Sequence, residues 1–194
     1  MTYLYDSVRF LHILTVVFMA APLYNLIVVN ERARFGKAPF AVDRYFENII
    51  KAAALRCYIY QVTALVTGLL LLPLSGLGWS ALWENPALLA KFILLLVLMG
   101  LLSIVHFRIQ PAIEKLLGQV TGEAIPPELA QQIAPWRIRR KRLAAVCLWT
   151  VIALVLLGLQ VYKPYGLVVT AALLLLAALF AWRVYKTPIR FGWI

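Results

Sequence analysis

The sequence predicts an all-α protein: a polytopic transmembrane helix bundle with five spanning helices, a four-helix core plus one, in a single domain over residues 1–194. Three observations carry this. The chain is 63% hydrophobic and only 14% charged, where a soluble domain has roughly 25% charged residues. Five stretches reach the ~20 apolar residues that a bilayer crossing needs. Sixteen of the nineteen Lys and Arg residues fall on one side of the pattern those stretches create.

The first stretch, 10–29, follows Arg9 and contains Pro22 and Asn25. It is too long for a secretory leader and lacks a small-residue cleavage site, so it reads as a retained helix. Residues 30–51 form a polar, basic connection with Arg32, Arg34, Lys37, Arg44 and Lys51. The second span is 52–74. The link after it, 75–86, has no cation and holds Trp79 and Trp83, which suit a membrane interface. The third span, 87–107, carries Lys91 in its first turns and His106 at its end. Residues 108–142 read as a long basic loop broken by Pro111, Pro126, Pro127 and Pro135. Within it, 111–120 suits an extension of the third helix past a proline break. Pro126-Pro127-Glu128 suits the start of a short helix, because proline is tolerated in a first turn and Glu complements the helix dipole. The fourth span, 143–162, meets the fifth, 167–185, through the turn Lys163-Pro164-Tyr165-Gly166.

The cations then give an orientation. Six lie between Arg32 and Arg56, seven between Arg108 and Arg142, and three at Arg183, Lys186 and Arg190, against Arg9, Lys91 and Lys163 opposite. The positive-inside rule places the N-terminus outside and the C-terminus in the cytoplasm, as a multi-pass protein of a bacterial inner (plasma) membrane. The net charge of +11 follows from those basic connections and suits anionic lipid headgroups; nucleic acid is not implied. Cys57 and Cys147 have no CxxC or CxxCH spacing. Covalent haem attachment and zinc are therefore unsupported, and both read as small packing residues.

His12 lies about one turn inside the outer leaflet, with Arg9, Thr15 and Met19 on its face. An ionisable residue at that depth is costly and marks a candidate site. Neutral imidazole is a common ligand of haem iron. His12 reads either as such a ligand or as a hydrogen-bonded packing residue. Lys91, at similar depth, either snorkels to water or neutralises a carboxylate such as a haem propionate, and Arg9 invites the same reading. Arg56, Tyr60, Thr63 and Thr67 form a polar stripe on the second helix, with Gly68 beside it for close packing. Arg142, Trp149 and Gln160 align on the fourth, suggesting a polar interior. His106 lies roughly 20 Å or more of helix rise from His12, so one haem cannot use both. It is an interfacial histidine or the ligand of a second metal site. Every carboxylate falls in a loop or at an end, which argues against a buried carboxylate relay. No GxSxG, HExxH or phosphate loop is present.

Several of these elements resemble the HemJ-type protoporphyrinogen IX oxidase and CopD-like superfamily of small haem-associated membrane proteins. They are Phe10-Leu11-His12-Ile13-Leu14, Arg56 followed by Thr67-Gly68-Leu69-Leu70-Leu71, Lys91 leading a leucine-rich run, and Val161-Tyr162-Lys163-Pro164-Tyr165. The resemblance covers about residues 8–165. It implies a four-helix core binding haem b, with His12 on the iron and Lys91 as the second functional residue. The chain departs from it at Met19-Ala20-Ala21-Pro22-Leu23-Tyr24-Asn25, at Arg140-Lys141-Arg142, and in its fifth helix and tail. Three functions follow as expectations. The first is a haem b electron-transfer subunit of a larger membrane complex or homo-oligomer, with quinone or porphyrin as the exchanging species. The second is a protoporphyrinogen IX oxidase with His12 and Lys91 as its catalytic candidates. The third is a cofactor-free accessory subunit.

Overall fold

In the computed structural model, which describes residues 2–32, 39–161 and 163–186, every regular element among the described residues is a helix. Five stretches are long and apolar enough to cross a membrane: Tyr3–Glu31, Phe40–Leu74, Pro86–Leu117, Pro127–Gln160 and Leu167–Lys186. The expected span count is present. Arg34, Lys37, Tyr162, Arg190 and the tail 187–194 lie outside the described residues.

The first span is two helices, α1 (Thr2–Phe18) and α2 (Ala21–Glu31). Pro22 accounts for the break: it offers no N–H to the Phe18 carbonyl, and its ring crowds that carbonyl. The chain continues as α3 (Phe40–Leu74), α4 (Ala81–Glu84), α5 (Pro86–Ile104), a π-helical turn (Val105–Ile109), α6 (Gln110–Leu117), α7 (Pro127–Gln160) and α8 (Leu167–Lys186). The π turn sits where Pro111 withholds the amide that the Phe107 carbonyl would accept, so the helix widens there instead of ending. After α3, Gly76 and Gly78 adopt φ of 79° and 74°, a left-handed backbone that any other L-residue would enter under strain. The Asn85 side chain caps α5, accepting from the amides of Ala87 at 2.9 Å and Leu88 at 3.3 Å.

The basic connections are more helical than expected. The loop 108–142 contracts to the short link 118–126. Pro126-Pro127 does open a helix, but that helix runs 34 residues through Pro135 into the fourth span. The helix α3 starts at Phe40, well before its apolar stretch, and has 35 residues. These rise about 52 Å, against ~30 Å of bilayer hydrocarbon. The surplus emerges at the cation-rich end. There α6 and the ends of α3 and α7 enclose a core of their own, made of Ile109, Ile113, Leu117 and Ile133 with Phe40 and Trp136 against it. Polar residues do not stop these helices, because each has an apolar face with a partner.

Within the spans, Met19, Ala64, Leu95, Leu98, Cys147, Val151 and Leu154 form one core. Leu26, Leu148, Ala181 and Val184 join α2, α7 and α8 in another. Trp149 and Gln160 face α8 rather than a polar interior: Trp149 Nε1 donates to the Leu174 carbonyl at 3.2 Å and Gln160 Nε2 to Thr170 Oγ1 at 3.1 Å. Arg142 is exposed. With Asn30 Nδ2 donating to the Val184 carbonyl at 2.8 Å, this polar set docks the fifth spanning helix.

Candidate functional site

The buried stripe of α3 runs Glu47, Ile50, Ala54, Cys57, Gln61, Ala64 and Thr67. Its steps of three and four residues are the spacing of a helix seam facing partners along its whole length. The stripe expected from sequence lies to one side and shares only Thr67. Arg56 is exposed and its Nε donates to the Ala52 carbonyl at 3.4 Å, away from His12. Tyr60 stacks on Phe18 with ring centroids 5.3 Å apart.

At the cation-poor end α1, α3 and α5 bring His12, Thr67 and Lys91 together. Thr67 Oγ1 lies 2.9 Å from His12 Nδ1, and Lys91 Nζ lies 3.2 Å from His12 Nε2. The direction of each bond follows from proton inventory. Thr67 spends its single hydroxyl proton on the Thr63 carbonyl at 2.6 Å. It can therefore only accept from the imidazole, which places the ring proton on Nδ1. The Nε2 lone pair is then left facing Lys91, which donates to it. Two glycines make the approach possible. A Cβ at Gly68 would lie 3.2 Å from His12 Cε1, and one at Gly158 would lie 3.3 Å from Lys91 Nζ. The Gly68→Leu variant is expected to push the ring off Thr67 and cost roughly 1–3 kcal/mol, the usual range for overpacking. Thermal melting in detergent checks this, and an unchanged midpoint contradicts the packing described.

The remaining expected residues fall around this chain without completing it. Buried Thr15 donates to the His12 carbonyl at 2.7 Å and so braces α1 rather than the ring. Met19 is buried in the span core. Arg9 is exposed, one turn before His12. His106 belongs elsewhere: it sits in the π turn, edge-on to Tyr58 at 5.7 Å, and fifteen residues of α5 and π turn, about 22 Å of rise, separate it from Lys91. Chemically, the site offers an unprotonated imidazole nitrogen whose electron pair is held by the ammonium beside it. None of the ion pairs among the described residues includes that ammonium. Such a pair suits a metal on nitrogen and an anion on Lys91.

A second polar assembly, at the cation-rich end, was not foreseen. Glu47 is fully buried at 0% exposure. Its carboxylate accepts from Arg140 at 2.6 and 3.0 Å, Arg32 at 2.8 Å and Arg137 at 3.1 Å. Asp43 takes a further bond from Arg137. Gln110 bridges Arg140 and Glu47, accepting at 2.6 Å and donating at 3.4 Å. The assembly ties α2, α3, α6 and α7 together. Its signal in the sequence is the period of α3 itself: Glu47 continues the seam of Ile50, Ala54, Cys57 and Gln61 one turn beyond the apolar stretch. Arg137 and Arg140 stand three apart, on one face of α7.

Comparison with known proteins finds no family model, no curated relative and no solved structure that matches this chain. The site must be read from its own residues. Against a haem, the donor set fits. The Nδ1–H tautomer held by Thr67 is the one that leaves Nε2 for iron, and Lys91 is a cation within reach of the same nitrogen. Lys91 has to leave Nε2 for a metal to take its place.

Proposed function

We propose that the chain is a haem b-binding integral membrane protein that passes electrons as a subunit of a larger membrane complex, with its N-terminus outside and its cation-rich end in the cytoplasm. The observation that carries the reading is the Lys91–His12–Thr67 chain. Two residues 79 positions apart, on α1 and α5, meet at 3.2 Å. They are the two residues that the resemblance to the HemJ-type and CopD-like proteins singles out. His12 would hold the iron through Nε2, Thr67 would fix the ring's tautomer and plane, and Lys91 and Arg9 would receive the propionates. A haem bound there supplies one-electron exchange between ferric and ferrous iron; the chain's residues orient it and balance its charge. The basic, helical end, with Arg139, Lys141 and Arg142 beyond the Glu47 assembly, supports the cytoplasmic placement.

The same meeting of His12 and Lys91 favours a second reading, a protoporphyrinogen IX oxidase in which these residues seat the tetrapyrrole and its carboxylates. One preparation separates the readings. Protein purified from a haem-replete host should show a Soret band, with an α-band on reduction, and His12→Ala should lose both while keeping its helical circular dichroism. Turnover of protoporphyrinogen IX by the isolated chain would move the assignment to the enzyme. A stable, colourless preparation removes haem altogether and leaves a cofactor-free accessory subunit.

A further inference from the structure

Between the two polar assemblies lies a cavity of about 50 Å³, bounded by α2, α3, α5 and α7. Its walls include Asn25, Cys57, Gln61 and Cys147 toward the middle of the bundle, and Gln110, Arg140 and Lys141 at the cation-rich end. Two of these side chains are deeply buried with a polar atom unspent. Gln61 is 3% exposed and its Oε1 has no hydrogen-bond partner; Arg140 is 3% exposed and its Nε has none. One is an acceptor and the other a donor. Leaving both unmet in an apolar interior is costly. The carboxamides of Asn25 and Gln110 share the wall, yet both atoms stay without a protein partner. A small molecule that donates and accepts can serve both. The volume suits roughly three to five waters, at ~10–15 Å³ apiece.

We propose that this cavity is a hydrated vestibule, holding an ordered water cluster that donates to Gln61 Oε1 and accepts from Arg140 Nε. It admits water from the cation-rich end to mid-bundle and stops there. The next polar group along the α3 seam is Thr67, six residues or about 9 Å of rise beyond Gln61. Ala64 is the seam residue between them, and neither it nor Thr67 lines the cavity. The bundle is thus wet on one side of Gln61 and dry around His12. The vestibule does not depend on what His12 binds.

The chain carries its own reporters, because its two cysteines, Cys57 and Cys147, both line this cavity. Infrared S–H bands of the full-length protein, assigned with Cys57→Ala and Cys147→Ala, are followed after transfer into D2O. Both thiols are expected to shift to S–D within minutes, while the backbone amides of the spanning helices stay protonated. Gln61→Leu, which removes the unmet oxygen at similar volume, is expected to slow exchange at Cys57 about tenfold, with circular dichroism showing the fold intact. S–H bands that persist in the unaltered protein for as long as the amides do overturn the vestibule. Exchange equally fast in Gln61→Leu overturns the role of Gln61. A Soret band present or absent in the same samples reports separately on the His12 site.

Discussion

Glu47→Ala is expected to destabilise the protein by about 3–5 kcal/mol, the loss that follows when one partner is removed from a buried ion pair. The reason is asymmetry. Glu47 is completely buried and accepts from three guanidinium groups, so the variant leaves three cations at the end of α2 and on α7 facing one another, with Asp43 of α3 the remaining carboxylate paired with two of them among the described residues. At about 2–4 °C per kcal/mol for a chain of this size, the melting midpoint should fall by roughly ten degrees. The control is Arg44→Ala. Arg44 pairs with Glu114 at 2.9 Å but is 38% exposed, and exposed pairs contribute about 1 kcal/mol or less. If Glu47→Ala melts no earlier than Arg44→Ala, the assembly contributes nothing that a surface pair would not.

Lys91→Met is expected to act in the opposite sense on stability and in the same sense as His12→Ala on function. The ammonium lies against Gly158 and donates to a neutral imidazole, with no carboxylate among its described ion pairs. An unbranched apolar side chain of similar length fills that space without a charge to desolvate. Cofactor-free protein should therefore gain up to about 1 kcal/mol, since relief of the half-buried ammonium outweighs the donor that His12 Nε2 loses. Haem occupancy should fall, because the propionates lose their cation while His12 keeps its Thr67 support. A functional group held at a cost in stability is the usual signature of a site. The two midpoints, taken without haem, and the Soret absorbance per protein check both halves. Loss of stability in Lys91→Met would make Lys91 a structural residue and withdraw it from the site.

The sequence made legible what depends on counting and depth. Five apolar stretches become five spans, and parallel first and third spans put His12 and Lys91 at one level, where they meet. Faces were harder to read. One residue of phase, 100° of helix, separates the stripe through Arg56 and Tyr60 from the buried one through Cys57 and Gln61, and apolar residues surround both. Beyond the apolar stretches, the extension of the third helix past Pro111 and the helix start at Pro127 are as expected, while the length of helix there exceeds the expectation for a physical reason. Charged, proline-punctuated segments read as loops when judged alone, but residues 40–51 and 127–142 fold as helices because their apolar residues share a core with Ile113 and Leu117 and Glu47 pairs with Arg137 and Arg140 across the interface. That pairing is between positions some ninety residues apart; the period of α3 marks Glu47 as facing a partner, and only the packing says which. Arg142, Trp149 and Gln160 share a helix face as read; what they face is α8, which only the packing decides.

The bond from Asn30 to Val184 has a consequence in time. The donor is in the first span and the acceptor in the last, 154 residues later. At roughly 5–20 residues per second of synthesis, some 8–30 s pass between the two. For that interval the contact between Asn30, 2% exposed in the finished protein, and the last helix does not yet exist. The first and last spans are joined only when the final helix arrives, so the bundle closes after synthesis of the chain reaches Val184.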